Sequence, residues 1–273
     1  MFAGIVSKLF AALFLSAVIT GAATHADETM PKAPAEYRLI ISAAASLKDV
    51  IQEAGRRFEQ HHPHCKLHYN FSNSAQLSSQ IEQGAPVDLF ASADIADVQR
   101  LTDKKLITDQ AVLARNTLVV IVSKQAAGRI RSLQDLAGPN VRLVLAAPRV
   151  PIARYARQFL SNADRTGTYG PDYSARVLGN VVSEEPDVRM IVTKVALGEG
   201  DAGIVYVSDI TKDLQDKVST IEVPKKLNVV ANYGIGIVRN SPHPNAARHM
   251  YEMLRSKEFA EICIKHRFLP PPL

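Results

Sequence analysis

The 273-residue chain contains no tryptophan, only two cysteines, and no block of lysine and arginine interleaved with aromatic residues. Two cysteines are too few for the disulfide framework that stabilises small secreted scaffolds. The formal net charge is only +5 and the basic residues are spread along the chain, which does not favour a nucleic-acid-binding surface. The sequence also lacks the G-x-S-x-G, Walker A, G-x-G-x-x-G, H-E-x-x-H and C-x-x-C motifs, so we do not expect an enzyme.

The first 26 residues have the layout of a secretory signal peptide. Lys8 precedes a short apolar stretch at 9–20, and small residues follow as far as Ala26. The apolar stretch is shorter than the roughly 20 residues that span a membrane, so an N-terminal anchor fits the pattern less well. We predict that residues 1–26 form a cleaved signal peptide and that the mature chain is exported.

Export changes how the two cysteines are interpreted. Cys65 and Cys263 would lie in an oxidising compartment, where two thiols are a candidate disulfide. Two separate buried thiols are an equally good interpretation. The histidines at 61, 62 and 64 match no metal-ligand spacing, and Pro63 among them indicates an exposed turn. We therefore predict no metal site there.

Strand-like and helix-like segments alternate along the rest of the chain. The hydrophobic pattern predicts strands at 38–42, 66–71, 87–91, 118–122, 142–146, 177–182, 202–206 and 229–238. It predicts helices at 46–62, 74–81, 152–160, 187–197, 245–254 and 257–266. Such alternation is typical of an α/β fold with parallel sheets, and the two sets of elements predict two lobes of similar size.

Two strands end in hydroxyl-bearing residues that lead directly into a helix. Ser46 follows the first strand, and its spacing to Asp49 predicts a capping box that begins the helix at Ser46. Ser74 follows the second strand in the same way. Free N–H groups at a helix start bind anions, and ligands of α/β sheets bind at the carboxyl ends of the strands. Taken alone, each serine fits plain helix capping better than anion binding, because serine is a preferred cap and most capping serines bind nothing.

Several motifs resemble those of the molybdate-binding proteins of ABC importers, in the expected order and over nearly the whole mature chain. They are Ala43–Lys48, Phe71–Ser74, Gln80–Phe90, Ser92–Asp94, Val150–Ile152, Pro186–Arg189, Gly203–Tyr206 and Ser208–Asp209. The resemblance implies a two-lobed periplasmic binding protein, each lobe a mainly parallel sheet flanked by helices, with a two-strand hinge. The lobes would comprise residues 37–117 plus 231–273, and residues 118–230.

The resemblance also implies a set of ligand contacts. Ser46 would donate from its hydroxyl and its backbone N–H, and Ser74 would match the family's second serine at the next helix start. Ile152 and Val188 would each donate from a backbone N–H, and Tyr206 from its phenol. All five are neutral donors, which suits a fully deprotonated dianion whose oxygens only accept hydrogen bonds. The implied ligand is molybdate or tungstate, bound with no direct metal ligand and no cofactor.

Further expectations concern partners and alternatives. A monomer in the periplasm would deliver the oxyanion to a membrane permease driven by a cytoplasmic ATPase. The alternative ligand is sulfate or a small organic anion, and an organic anion would need an arginine clamp, for which Arg149 and Arg154 lie near enough in sequence. A regulator's co-inducer domain shares the two-lobed design, but the signal peptide and the lack of a DNA-binding helix argue against it.

Overall fold

The computed structural model describes residues 36–271, which belong to one compact unit, and the predicted signal peptide lies outside them. The strands are β1 (Tyr37–Ala44), β2 (Cys65–Ser72), β3 (Leu89–Ser92), β4 (Ile107–Asn116), β5 (Leu118–Ser123), β6 (Leu143–Ala146), β7 (Val181–Glu185), β8 (Ala202–Tyr206), β9 (Val218–Glu222) and β10 (Ala231–Val238). The helices are α1 (Lys48–His61), α2 (Ser74–Glu82), α3 (Ile95–Asp103), α4 (Pro151–Thr166), α5 (Tyr173–Gly179), α6 (Val188–Leu197), α7 (Pro244–Met253) and α8 (Lys257–Lys265).

The strands form two five-stranded sheets, as the predicted α/β class requires. The first has the order β2-β1-β3-β10-β4 and the second the order β7-β6-β8-β5-β9. In each sheet four strands run in one direction, and the fifth, β10 or β5, runs antiparallel to its neighbours. The sheets are therefore mixed, although parallel strands predominate in both.

Helices cover the faces of each sheet. Helices α1, α2, α3, α7 and α8 pack on the first sheet or on one another, and α4, α5 and α6 belong to the second. We call these two groups the first half and the second half. The six residues of β5 are all buried, as expected for a strand that is covered on both faces. In β10, a Cβ atom at Gly234 would lie 2.7 Å from side-chain atoms of Ile95 and Val98, so glycine lets α3 approach the strand closely.

The chain crosses between the two halves twice. It passes from β4 to β5 through Thr117, and it returns from β9 to β10 through residues 223–230. The side chain of Asn228 joins the two crossings, since its Nδ2 donates to the Leu118 carbonyl and its Oδ1 accepts the Leu118 N–H, both at 2.9 Å. The exact lobe boundaries and a hinge motion at these crossings stay predictions.

Some local expectations were wrong. Residues 177–179 are the end of α5, and the strand that we expected at 177–182 begins at Val181. Val177 is fully buried as part of a helix, and a short apolar run does not distinguish a strand from a helix. The sequence analysis also missed α3, β4 and β9.

Cys65 and Cys263 are both free and buried, which agrees with the second of the two interpretations. Within residues 36–271, no helix combines the length and the apolar character that crossing a membrane requires.

Candidate anion-binding site

A small cavity lies where the carboxyl ends of β1, β2 and β8 meet the starts of three helices. All five residues that we predicted as ligand contacts line it. The full lining is Ala44, Ala45, Ser46, Ser72, Asn73, Ser74, Ala93, Val150, Pro151, Ile152, Asp187, Val188 and Tyr206. Both halves contribute to it. The structure thus brings the five predicted residues together, and their binding of an anion stays a prediction.

Helices α2 and α6 each direct a first turn towards the cavity. The side chain of Asn73 caps α2 by accepting the Gln76 N–H at 2.8 Å, and Asp187 caps α6 by accepting the Met190 N–H at 3.1 Å. These caps use the N–H of the third helical residue. The N–H groups of the first residues, Ser74 and Val188, have no partner within their own helices and remain available to a ligand.

Helix α4 contributes a different first turn. Pro151 is its first residue and has no N–H, so the N–H of Ile152 is the first donor of this helix. Val150 precedes the helix without a side-chain cap. The dipoles of α2, α4 and α6 together favour negative charge at the point where their N-termini meet.

Two buried hydroxyl groups in the lining have no hydrogen-bond partner. Among residues 36–271, neither the Ser46 Oγ nor the Tyr206 Oη has a donor or acceptor in hydrogen-bonding geometry. The two residues are 3% and 1% exposed. A buried polar group that stays unpaired costs about 1–3 kcal/mol, so such groups are rare unless something binds them.

The expected capping box at Ser46 is wrong. Ser46 lies in a 3-10 turn, Ala45–Leu47, and α1 begins at Lys48 with Leu47 as its N-cap and no side-chain cap. In this extra turn a backbone hydrogen bond, from the Lys48 N–H to the Ala45 carbonyl, replaces a side-chain cap. It leaves the Ser46 hydroxyl free to line the cavity, and Asp49 pairs instead with Arg189 at 2.6 Å.

Tyr206 is fixed in place by its surroundings. Its N–H donates to the Asp209 carboxylate at 3.1 Å, and its ring packs edge-on against Tyr155 and Tyr233. Burial raises the pKa of Tyr206 well above its usual value. The phenol is therefore protonated at physiological pH and can donate to a ligand.

The cavity contains little formal charge. No lysine or arginine lines it, and Asp187, which the sequence analysis did not single out, is the one charged lining residue within the described part of the chain. The two arginines considered as a carboxylate clamp lie elsewhere: Arg149 is exposed, and the Arg154 guanidinium pairs with Asp94. No cluster of three or more potential metal ligands occurs in residues 36–271.

Comparison with known proteins gives a consistent result. The family described as "Bacterial extracellular solute-binding protein" matches residues 39–269. The molybdate-binding protein ModA of Mycobacterium tuberculosis H37Rv is 28% identical over 271 residues, which cover 98% of each chain.

Solved structures share the fold. The substrate-binding domain of a putative molybdenum ABC transporter from Clostridium difficile is 28% identical with a TM-score of 0.65, over 86% of this chain and 99% of that one. The sulfate-binding protein SubI of Mycobacterium tuberculosis has a TM-score of 0.71 at 18% identity, over 86% of this chain and 87% of that one. At that identity the likeness concerns the fold alone.

Proposed function

The chain belongs to the bacterial extracellular solute-binding proteins, and we propose that it captures molybdate outside the cytoplasm for delivery to an ABC importer. The observation that carries this proposal is the pair of buried, unpartnered hydroxyls of Ser46 and Tyr206 beside three helix N-termini. The two relatives at 28% identity support molybdate as the ligand, since one is named a molybdate-binding protein and the other belongs to a putative molybdenum ABC transporter.

The chemistry of the lining suits a fully deprotonated oxyanion. Ser46, Ser74 and Tyr206 offer hydroxyl donors, and Ile152 and Val188 offer backbone donors. Every oxygen of molybdate accepts hydrogen bonds and none donates. Neutral donors and helix N-termini bind such a dianion without a buried counter-charge. Hydrogen phosphate carries a proton that needs an acceptor, and Asp187, which caps α6 through one oxygen, is the one carboxylate that lines the cavity within residues 36–271.

The size of the cavity favours a small inorganic anion. The cavity is small, with a volume of about 20 Å³, which suits a single small anion such as a tetrahedral oxyanion. A small organic anion would need more room and an arginine clamp, and neither Arg149 nor Arg154 lines the cavity. Sulfate has the same charge and shape as molybdate and stays the second candidate.

The proposed mechanism is capture followed by closure. Donors from both halves are satisfied together only when an oxyanion lies between them, so ligand binding shifts an open–closed equilibrium towards the closed form. The closed monomer would then dock on the permease. We also propose tungstate as a ligand, because it shares the charge and shape of molybdate, and export to the periplasm through the signal peptide at 1–26.

Isothermal titration of the mature chain, residues 27–273, with molybdate, tungstate, sulfate and phosphate tests the proposal. We expect tight binding of molybdate and tungstate and no measurable heat with the other two. Preferential binding of sulfate would establish the second candidate. Failure to bind any of the four would refute an inorganic oxyanion receptor.

A further inference from the structure

Two ion pairs join the halves beside the cavity. The Arg189 guanidinium, from the second residue of α6, donates to Asp49 in the first turn of α1 at 2.6 Å. The Arg154 guanidinium, from α4, donates to Asp94, which precedes α3 and caps it. In both pairs the arginine belongs to the second half and the aspartate to the first.

Each pair lies next to residues that line the cavity on both sides of the cleft. Arg189 directly follows Val188, and Asp49 is three residues after Ser46. The second pair has the same arrangement. Arg154 is two residues after Ile152 in α4, and Asp94 directly follows Ala93, whose N–H donates to the Ser74 hydroxyl. Helices α4 and α6 therefore each make one ion pair to the first half, close to the residues that line the cavity.

Arg189 also faces its own half. Its Nε lies 3.7 Å from the buried Asp209 carboxylate, which accepts the backbone N–H of Tyr206. Burial alone would lower the pKa of Arg189, but Asp209 and Asp49 outweigh it and raise the pKa. The guanidinium therefore remains charged and links Asp49 to the segment that positions Tyr206.

We propose that Asp49–Arg189 and Asp94–Arg154 are interlobe ion pairs that form when the cleft closes and that they set the rate at which bound oxyanion leaves. This inference rests on the proposed function, because it assigns these four residues to the same site. Opening the cleft would separate both pairs and return their charges to water. None of the four residues lines the cavity, so the pairs act by stabilising the closed form around the ligand.

The test uses neutral replacements of the partner that makes no second ion pair and caps no helix; the Arg154 guanidinium also lies over the Tyr155 ring, 4.7 Å from its centroid. Arg189 is unsuitable because its loss would leave the Asp209 carboxylate buried without its cation, so Asp49→Asn tests the first pair. Arg154→Gln tests the second, since Asp94 is also needed as a helix cap. The matched control is Asp109→Asn, which removes the Asp109–Arg248 pair at 2.5 Å inside the first half.

The measurement is the dissociation rate of molybdate, followed by tyrosine fluorescence, which no tryptophan obscures in this chain. We expect each single variant to release molybdate about three- to fivefold faster, and the double variant about tenfold faster, with little change in the association rate. Raising the salt concentration should speed release from the wild type more than from the double variant. The control should release molybdate at the wild-type rate.

Two further outcomes separate this inference from the proposed function. Wild-type binding with release rates unchanged in the double variant would overturn the role of the ion pairs and leave molybdate capture intact. If the wild type bound no molybdate, the proposed function would fail. Spin-label distances between the halves of the ligand-free protein would then test whether the ion pairs stabilise the closed form. A closed fraction that is equal in wild type and double variant would then refute the ion pairs as well.

Discussion

The Ala93 N–H donates to the Ser74 hydroxyl oxygen across 3.1 Å, which joins the end of β3 to the first residue of α2. Because the hydroxyl oxygen accepts this bond, its own proton is free to be donated into the cavity. Ser46 differs, since its hydroxyl has no partner among residues 36–271. The two serines therefore predict different consequences when each is replaced by alanine.

Ser46→Ala should weaken molybdate binding without destabilising the protein. The Ser46 hydroxyl makes no hydrogen bond within residues 36–271, so its loss should cost the unliganded fold little. A hydrogen bond to a charged ligand is worth about 1.5–3 kcal/mol, so we expect a loss of affinity of roughly ten- to a hundredfold. Titration calorimetry and chemical unfolding measure the two quantities. An unchanged affinity would remove Ser46 from the site.

Ser74→Ala should weaken binding and also reduce stability. The replacement leaves the buried Ala93 N–H without its acceptor, which we expect to lower the free energy of unfolding by about 1 kcal/mol or more. Urea unfolding of the ligand-free protein checks this, with Ser46→Ala as the matched control. Equal stability of the two variants would contradict the assigned hydrogen bond.

Tyr206→Phe should weaken molybdate binding without lowering the stability of the fold. The ring would keep its edge-on packing against Tyr155 and Tyr233, and the unpartnered buried hydroxyl would be lost. We expect the free energy of unfolding to stay equal or to rise by up to about 1 kcal/mol, while molybdate affinity falls about tenfold. A stability loss with unchanged affinity would show that the hydroxyl serves the fold instead.

Glu53 should stabilise the folded protein at neutral pH, and this contribution to the free energy of unfolding should disappear in acid. Its carboxylate accepts from Lys265 and His266, each at 2.8 Å. Burial alone would raise the pKa of Glu53, but the hydrogen bonds from these two residues outweigh it and lower the pKa to about 2. The folded-state pKa lies below the unfolded value, so the contribution is complete above about pH 4.5 and disappears as the pH falls towards 2.

Unfolding of wild type and Glu53→Gln at several pH values checks this contribution. We expect the wild type to be more stable at pH 6 by about 1–2 kcal/mol, allowing for the solvent exposure of Lys265, and the difference to shrink by pH 3. Glu222→Gln is the control, because Glu222 is exposed and makes no ion pair within residues 36–271. A difference that stays constant with pH would contradict the lowered pKa.

The sequence predicted the parts of this protein that depend on local pattern. Alternating strands and helices predicted the α/β class, and the hydroxyl residues after two strands predicted Ser46 and Ser74 as site candidates. Tyr206, Ile152 and Val188 entered only through the resemblance to a family, because a buried tyrosine or a backbone N–H leaves no distinctive local signal.

Other features depend on contacts that are distant in sequence. The antiparallel strands β5 and β10 are the ones that directly follow the two crossings between the halves, and no local periodicity encodes their direction. The pairing of Asp49 with Arg189 joins residues 140 positions apart, and this pairing replaced the local capping box that the spacing to Ser46 predicted. Asp187 could have been found from the sequence, since it directly precedes a helix after Pro186.

The backbone donors of the cavity have an evolutionary consequence. The backbone N–H is kept when a side chain is exchanged. Substitution at positions 152 and 188 is therefore limited by the volume of the new side chain and not by the loss of a donor. An alanine scan would not detect either donor, because alanine keeps the backbone N–H that binds the anion. Proline is the one replacement that deletes the group, and Pro151 already occupies the neighbouring position in α4.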